Sequence, residues 1–337
     1  MKFSHPLDPE LLPEYDPEFV EVYNRIGIDQ PTLSDLTPQE LRQLWTDKLP
    51  MLDHSTVASV TDYSYGDSEE QKIRVIVPKA ERPSSGWPVY VFYHGGGWIM
   101  GNLSFENDVL GRLANLVQCV SILVNYRHAP ESPFPAAADD AWAAFEYIQA
   151  NGDKLGLDLS KVIVGGPSAG ANLTEIVTQR LVAHNEKSST PYKPLVHQVL
   201  TVPSTDIINR GKYHSYVKYA NSATLRTKDA NYCYQKYLQD DSVHSDIRAS
   251  PLLNDDSVFA KLPPATVIIA EMDPLSDEGR EYARKMERNG VKVDVTVLEG
   301  VPHAFMVYPI AKAQQFEQTA GKAIYTAIHG RPYTRSV

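Results

Sequence analysis

Apolar residues fall into short runs near 89–93, 120–125, 161–165, 196–202, 265–270 and 291–298, each of strand length and separated from the next by helical patterning. That alternation predicts an α/β fold with a mostly parallel central sheet covered by helices on both faces. Ahead of these runs, residues 57–65 and 72–77 alternate in the manner of strands around the turn-rich Gly66-Asp67-Ser68, which predicts an antiparallel hairpin leading the sheet. The first 50 residues read as helical segments broken by Pro13, Pro17, Pro31 and Pro38. Phe19, Val22, Tyr23 and Ile26 form one apolar face at helical spacing, and Thr37-Pro38-Gln39-Glu40 reads as a helix start.

The βα rhythm breaks between Pro203 and Pro251, where an insertion carries Tyr213, Tyr216, Tyr219, Tyr232, Tyr234 and Tyr237. Tyr216 and Tyr219, like Tyr234 and Tyr237, are three residues apart and so share a helix face. Two readings stand side by side: a cover over the catalytic edge of the sheet, or ordinary packing of a helix against the N-terminal segment. The expected organisation is an N-terminal helical cap segment (1–55), an α/β core in two parts (56–202 and 251–337) and a cap insertion (203–250) between them. No internal repeat or low-complexity linker interrupts this order.

Composition narrows the class. With 42% hydrophobic and 22% charged residues, and no apolar run near the roughly 20 residues needed to cross a bilayer, a soluble globular protein is expected. The start, Met1 to Pro9, has prolines and an acid where a signal peptide needs an apolar core, so secretion is not expected. Cys119 and Cys233 lack metal-type spacing, which argues against a disulfide framework or a zinc site and favours the cytoplasm. A formal net charge of −10 with no basic cluster repels phosphates and anionic lipid, so neither nucleic acid nor membrane is an expected partner. A small-molecule substrate is, and the fold leaves room for a homodimer.

The candidate chemistry begins at Gly166-Pro167-Ser168-Ala169-Gly170, which follows the run Val162-Ile163-Val164 and precedes a helical pattern near Asn172. Strand, sharp turn and helix in that order expose a serine hydroxyl as a nucleophile, with the Ala169 amide beside it as an oxyanion donor. His94-Gly95-Gly96-Gly97-Trp98, directly after the strand at 89–93, offers further backbone amides for a tetrahedral oxyanion. A phosphate-binding loop fits less well, since no Gly-Lys-Ser or Gly-Lys-Thr follows. Asp273 lies at the carboxyl end of the 265–270 strand, where it would orient a histidine, although an Asx-turn role is its plain alternative. Asp277 and Glu278 read as first-turn acids complementing a helix dipole. His303, in the loop before the final helix, completes the order serine, acid, histidine. His94 is assigned to shaping the glycine loop, and His128 and His197 to structural roles.

With these elements in that order, the chain resembles the hormone-sensitive-lipase-like carboxylesterases of the α/β-hydrolase superfamily. The resemblance runs from about Pro88 onward. It is carried by His94 to Trp98, Tyr126-Arg127-His128-Ala129-Pro130-Glu131 with Pro133 to Ala137, Ser168-Ala169-Gly170, Asp273-Pro274-Leu275 with Asp277-Glu278-Gly279, and His303. It implies an α/β-hydrolase fold, a triad of Ser168, Asp273 and His303, and oxyanion donors at Gly96, Gly97 and Ala169. Two positions depart from the family pattern: Pro167 stands where members carry Asp, and Ala171 where they carry a second Gly. Trp98, Tyr216 and Tyr219 are the candidate substrate contacts. The expected activity is hydrolysis of a small to medium carboxylic ester through an acyl-enzyme, without metal or organic cofactor. A weaker resemblance to fungal esterases of secondary metabolism points to a secondary-metabolite ester. Acyl transfer or chain release on the same triad is the first alternative. A non-catalytic small-molecule receptor is the second, against which His303 speaks.

Overall fold

Strands β1 (Ser59–Ser64), β2 (Lys72–Val77), β3 (Trp87–Tyr93), β4 (Val120–Val124), β5 (Leu157–Pro167), β6 (His197–Thr201), β7 (Ala265–Ala270) and β8 (Val293–Leu298) form one sheet in the order β1-β2-β4-β3-β5-β6-β7-β8. The computed structural model describes residues 3–46, 52–240, 243 and 246–334. Met1 and Lys2 of the N-terminal stretch, and parts of the expected segments at 47–51, 241–242, 244–245 and 335–337, lie outside the described residues. β1 and β2 form the expected antiparallel hairpin, β2 pairs antiparallel with β4, and every other pairing is parallel.

The helices are α1 (Pro17–Ile26), α2 (Pro38–Thr46), α3 (Asn107–Val117), α4 (Ala136–Ala150), α5 (Gly152–Leu155), α6 (Ala169–Lys187), α7 (Ser215–Lys218), α8 (Thr227–Leu238), α9 (Asp256–Phe259), α10 (Ser276–Arg288) and α11 (Ala311–His329). Alternate residues of the central strands divide between two apolar clusters. Val89, Val91 and Tyr93 of β3 join Phe145 of α4, Ile176 of α6 and Met286 of α10. Tyr90 and Phe92 join Leu110 of α3 and Ile324 of α11 on the other face. Burial on both faces is why these strands read as unbroken apolar runs, each large side chain contributing about 1.5–3 kcal/mol. β1 at the sheet edge is largely exposed instead.

The N-terminal segment is tied to the rest by specific residues. Asp16 caps α1 by accepting the amides of Glu18 (2.9 Å) and Phe19 (3.3 Å), and Pro17 opens the helix. Phe19, Val22 and Tyr23 are buried, with Phe19 and Tyr23 against the Tyr308 ring. Ile26 departs from the expected apolar face. It occupies the last helical position, past that contact, and is 44% exposed. Further along, the Ser34 amide and hydroxyl both donate to the buried Asp229 of α8, and the Tyr232 hydroxyl donates to the Leu36 carbonyl at 3.0 Å. The insertion and the N-terminal segment therefore pack on each other. Cys119 and Cys233 are both free and buried. Among the described residues no helix is long and apolar enough to cross a membrane.

Candidate active site

The turn from β5 into α6 holds Ser168 at φ 56° and ψ −119°, a conformation that non-glycine residues adopt only when their surroundings impose it. Its amide donates to the Thr201 carbonyl of β6 at 2.9 Å, and its own carbonyl accepts the Asn172 amide at 3.1 Å. Gly170 lets the turn press against the end of β3, since a Cβ there would overlap the Tyr93 carbonyl oxygen.

That close approach brings the loop after β3 beside the serine. Gly96 (φ 113°), Gly97 (φ 61°) and Trp98 (φ 60°) all have positive φ, and a Cβ on Gly96 would run into the Met100 carbonyl. His94 shapes the loop from beneath. Its Nδ1 donates to the Gly95 carbonyl at 2.7 Å, its ring stacks on Tyr126 at 4.3 Å, and its carbonyl accepts the Tyr126 hydroxyl at 2.9 Å. Burial lowers the imidazole to about 3, so His94 is neutral through the physiological range. Among the described residues, the amides of Gly96, Gly97 and Ala169 donate to no protein acceptor.

The acid and the base come from the ends of β7 and β8. His303 Nδ1 donates to Asp273 Oδ2 at 2.6 Å, and the Ser168 hydroxyl is 2.8 Å from His303 Nε2. Asp273 is 1% exposed and its Oδ1 accepts the Leu275 amide at 3.0 Å, which fixes the carboxylate plane; His303 is 8% exposed. The structure thus brings Ser168, His303 and Asp273 together, with the glycine loop after β3 packed on the turn that bears the serine.

Residues that the motifs did not indicate hold these loops. The Ala304 amide, next to His303, donates to Thr224 Oγ1 at 2.8 Å. Ser222 donates to the Met272 carbonyl, beside Asp273, while Tyr15 accepts the Ala223 amide at 2.9 Å. The Gly300 carbonyl accepts the Asp16 amide at 2.8 Å. A cleft of about 350 Å³ is lined by residues 4–9, Tyr23, Asn221 to Ala223 and Arg226. None of the six residues expected around the nucleophile lines it.

Several sequence features prove to be scaffolding. In the run from Tyr126 to Glu131, Arg127 makes a two-pronged pair with Asp140 (2.7 and 2.8 Å), His128 meets Glu70 at 2.6 Å, and Glu131 takes two bonds from Arg42 of α2. Arg42 also donates to the carbonyls of Ile99 and Ala129, both at 2.7 Å. His197 meets Thr266 at 2.9 Å.

Asp277 does sit in the first turn of α10, where it accepts the Ser215 amide at 2.9 Å. Glu278 differs from expectation. It points into the protein and is fully buried, accepting the Thr205 amide at 3.0 Å with the Tyr216 hydroxyl 3.4 Å away. Burial, with Asp206 and Asp273 nearby, pushes its carboxyl well above the usual carboxylate range.

Trp98 is covered and stacked face to face on Tyr237 at 4.4 Å. The Tyr216 hydroxyl is engaged with that of Tyr234 at 2.9 Å, and Tyr219 packs in the apolar cluster that includes Tyr15 and Met272.

A profile of the α/β hydrolase fold family matches residues 90–307, and the chain belongs to that family. Within it, the chain takes its place among the hormone-sensitive-lipase-like carboxylesterases and is a serine hydrolase of the carboxylesterase type. It is 32% identical over 323 residues to an AB hydrolase superfamily protein of Schizosaccharomyces pombe, covering 89% of this chain and 90% of that one. It is 33% identical over 240 residues to the ethyl acetate hydrolase of Pseudomonas putida, covering 71% and 73%. A thermostable esterase from Pseudomonas putida superposes with a TM-score of 0.82 at 27% identity, over 94% of this chain and 98% of the other.

Proposed function

We propose that the protein hydrolyses small to medium neutral carboxylic esters through a Ser168-His303-Asp273 triad. The observation that carries this reading is the unbroken relay from Asp273 through His303 to Ser168, with a 2.6 Å and a 2.8 Å link, beside three unengaged amides. His303 takes the Ser168 proton as Oγ attacks the ester carbonyl, and Asp273 stabilises the imidazolium. The oxyanion is received by the amides of Gly96, Gly97 and Ala169, each such donor lowering the barrier by about 2.7–4 kcal/mol. His303 then protonates the departing alcohol, leaving an acyl-serine. Water attacks that ester with His303 again as base, and the acid leaves.

Acyl size is inferred from the relative named for ethyl acetate, and a neutral substrate from the net charge of −10. A secondary-metabolite ester rests on the motif resemblance alone. Residues 1–55 and 203–250 are read as a two-part cap over the catalytic edge, supported by the links from Tyr15, Ser222 and Thr224 to the loops of Asp273 and His303. Tyr216 and Tyr219 of that cap, with Trp98 of the glycine loop, act as apolar walls. The acidic charge and the two free cysteines support a cytoplasmic setting without nucleic-acid partners.

The test is Ser168→Ala. Turnover of short-chain nitrophenyl esters should fall at least about a thousandfold, with an unchanged melting temperature and no labelling by a fluorophosphonate. A variant that keeps full activity rules the mechanism out.

A further inference from the structure

Ser215 opens α7 in the insertion and reaches across to the turn that carries Asp273. Its hydroxyl donates to the Pro274 carbonyl at 2.5 Å and accepts the Asp277 amide at 3.4 Å. Its own amide donates to Asp277 Oδ2 at 2.9 Å. Ser215 is 2% exposed and Pro274 is buried as well, so the bond between them forms away from water. Among the described residues no backbone amide reaches the Pro274 carbonyl, and the Ser215 hydroxyl is its donor.

The peptide unit that Ser215 grips is the one that holds the acid. Its carbonyl belongs to Pro274 and its N–H to Leu275, which donates to Asp273 Oδ1 at 3.0 Å. The two ends of a planar trans peptide are fixed relative to each other, so a donor clamped on the carbonyl sets the direction of the N–H. A hydrogen bond to the carbonyl also polarises the amide and strengthens its N–H as a donor. The other carboxylate oxygen, Oδ2, is thereby held at 2.6 Å from His303 Nδ1. On the near side of Asp273, the Ser222 hydroxyl donates to the Met272 carbonyl. Carbonyls on both sides of the acid are therefore held by serines of the insertion.

No lysine or arginine pairs with Asp273 among the described residues, where its ionic partner is His303. Glu278 of α10 and Tyr216 of α7 feel its charge, and burial pushes both up. Asp277 is turned to the Ser215 amide. The Leu275 amide is thus the fixed dipole that steadies the carboxylate against the imidazolium it must stabilise, and the Ser215 hydroxyl aims that dipole.

We infer that Ser215 is a positioning residue for the triad acid, acting on the Asp273 carboxylate through the peptide between Pro274 and Leu275. The insertion then supplies a part of the relay itself. The inference rests on the reading of Asp273 as the triad acid.

The experiment compares the wild type, Ser215→Ala and Ser215→Thr by steady-state kinetics on nitrophenyl acetate and by the proton NMR signal of the His303 Nδ1–H. Ser215→Ala should lose about tenfold in kcat with KM within about threefold, and its Nδ1–H signal should move upfield as the bond to Asp273 weakens. Ser215→Thr restores the hydroxyl and should bring kcat back to within about threefold of the wild type. A wild-type kcat in Ser215→Ala, an unmoved signal, or a threonine variant as slow as the alanine one overturns the inference. If the alanine variant does not fold, Ser215→Cys keeps the volume with only a weak donor and should show the same fall and the same upfield movement. Wild-type values for both readouts in the cysteine variant overturn the inference equally. Asp273→Asn separates the two levels: full activity there overturns the triad reading, while an inactive Asp273→Asn beside an unaffected Ser215→Ala overturns only the role of Ser215.

Discussion

His94 donates through Nδ1 to the carbonyl of Gly95 at 2.7 Å, and the N–H at the far end of that same peptide unit belongs to Gly96. In a trans peptide the two groups point in opposite directions, so holding the carbonyl aims the amide. His94→Phe keeps the ring that stacks on Tyr126 and removes the donor. It should lower kcat about 10- to 100-fold with little change in KM or melting temperature, as expected when a donor matters only in the transition state. Steady-state kinetics on a short-chain ester check this, and an unchanged kcat contradicts it.

Glu175 of α6 is fully buried, and neither carboxyl oxygen has a hydrogen-bond partner among the described residues. Burial and then Glu278 push its carboxyl well above the ordinary range. A carboxyl raised in the folded state binds its proton more tightly there than in the unfolded chain, where its value is about 4.3. Its contribution is therefore complete below that value and is lost as pH rises. Glu175→Met removes the buried acid at similar volume. It should stabilise the protein by about 1–3 kcal/mol at pH 8 and by less at pH 5. Urea unfolding at both pH values measures this, and an equal effect at the two excludes a titrating origin.

Asp229 accepts the Ser34 amide at 3.1 Å and pairs with Arg226 at 3.1 Å from a fully buried position. Asp229→Ala leaves the Ser34 amide without its acceptor and Arg226 without this partner. A loss of about 2–4 kcal/mol is expected, concentrated where the N-terminal segment meets α8. Limited proteolysis should cut within residues 3–46 sooner in the variant, and an unchanged cleavage rate tells against this contact as the anchor.

The parts legible in the sequence were those written in local patterns. Buried parallel strands announce themselves as apolar runs, so β7 falls on the residues its run indicates, and the alternation at 72–77 marks the antiparallel β2 as well. Glycines around Ser168 and after His94 mark backbone that approaches other backbone, and they put both loops at one sheet edge. Illegible were the choices made by distant packing. Glu278 has the position of a solvent-facing first-turn acid, and only the Thr205 amide and the overlying Tyr216 make it a buried one. Ile26 keeps helical spacing, yet the surface its helix packs against ends before reaching it.

The bond from Asp16 to Gly300, with Tyr15 held over Ser222 and Ala223, joins early residues of the chain to the loop that bears the last residue of the relay. A polypeptide emerging from the ribosome would complete its strands in order, yet it could not assemble a working centre until that late loop had met the segment made first. Activity recovered during refolding should accordingly lag behind the return of secondary structure, because the longest-range contacts close the machinery.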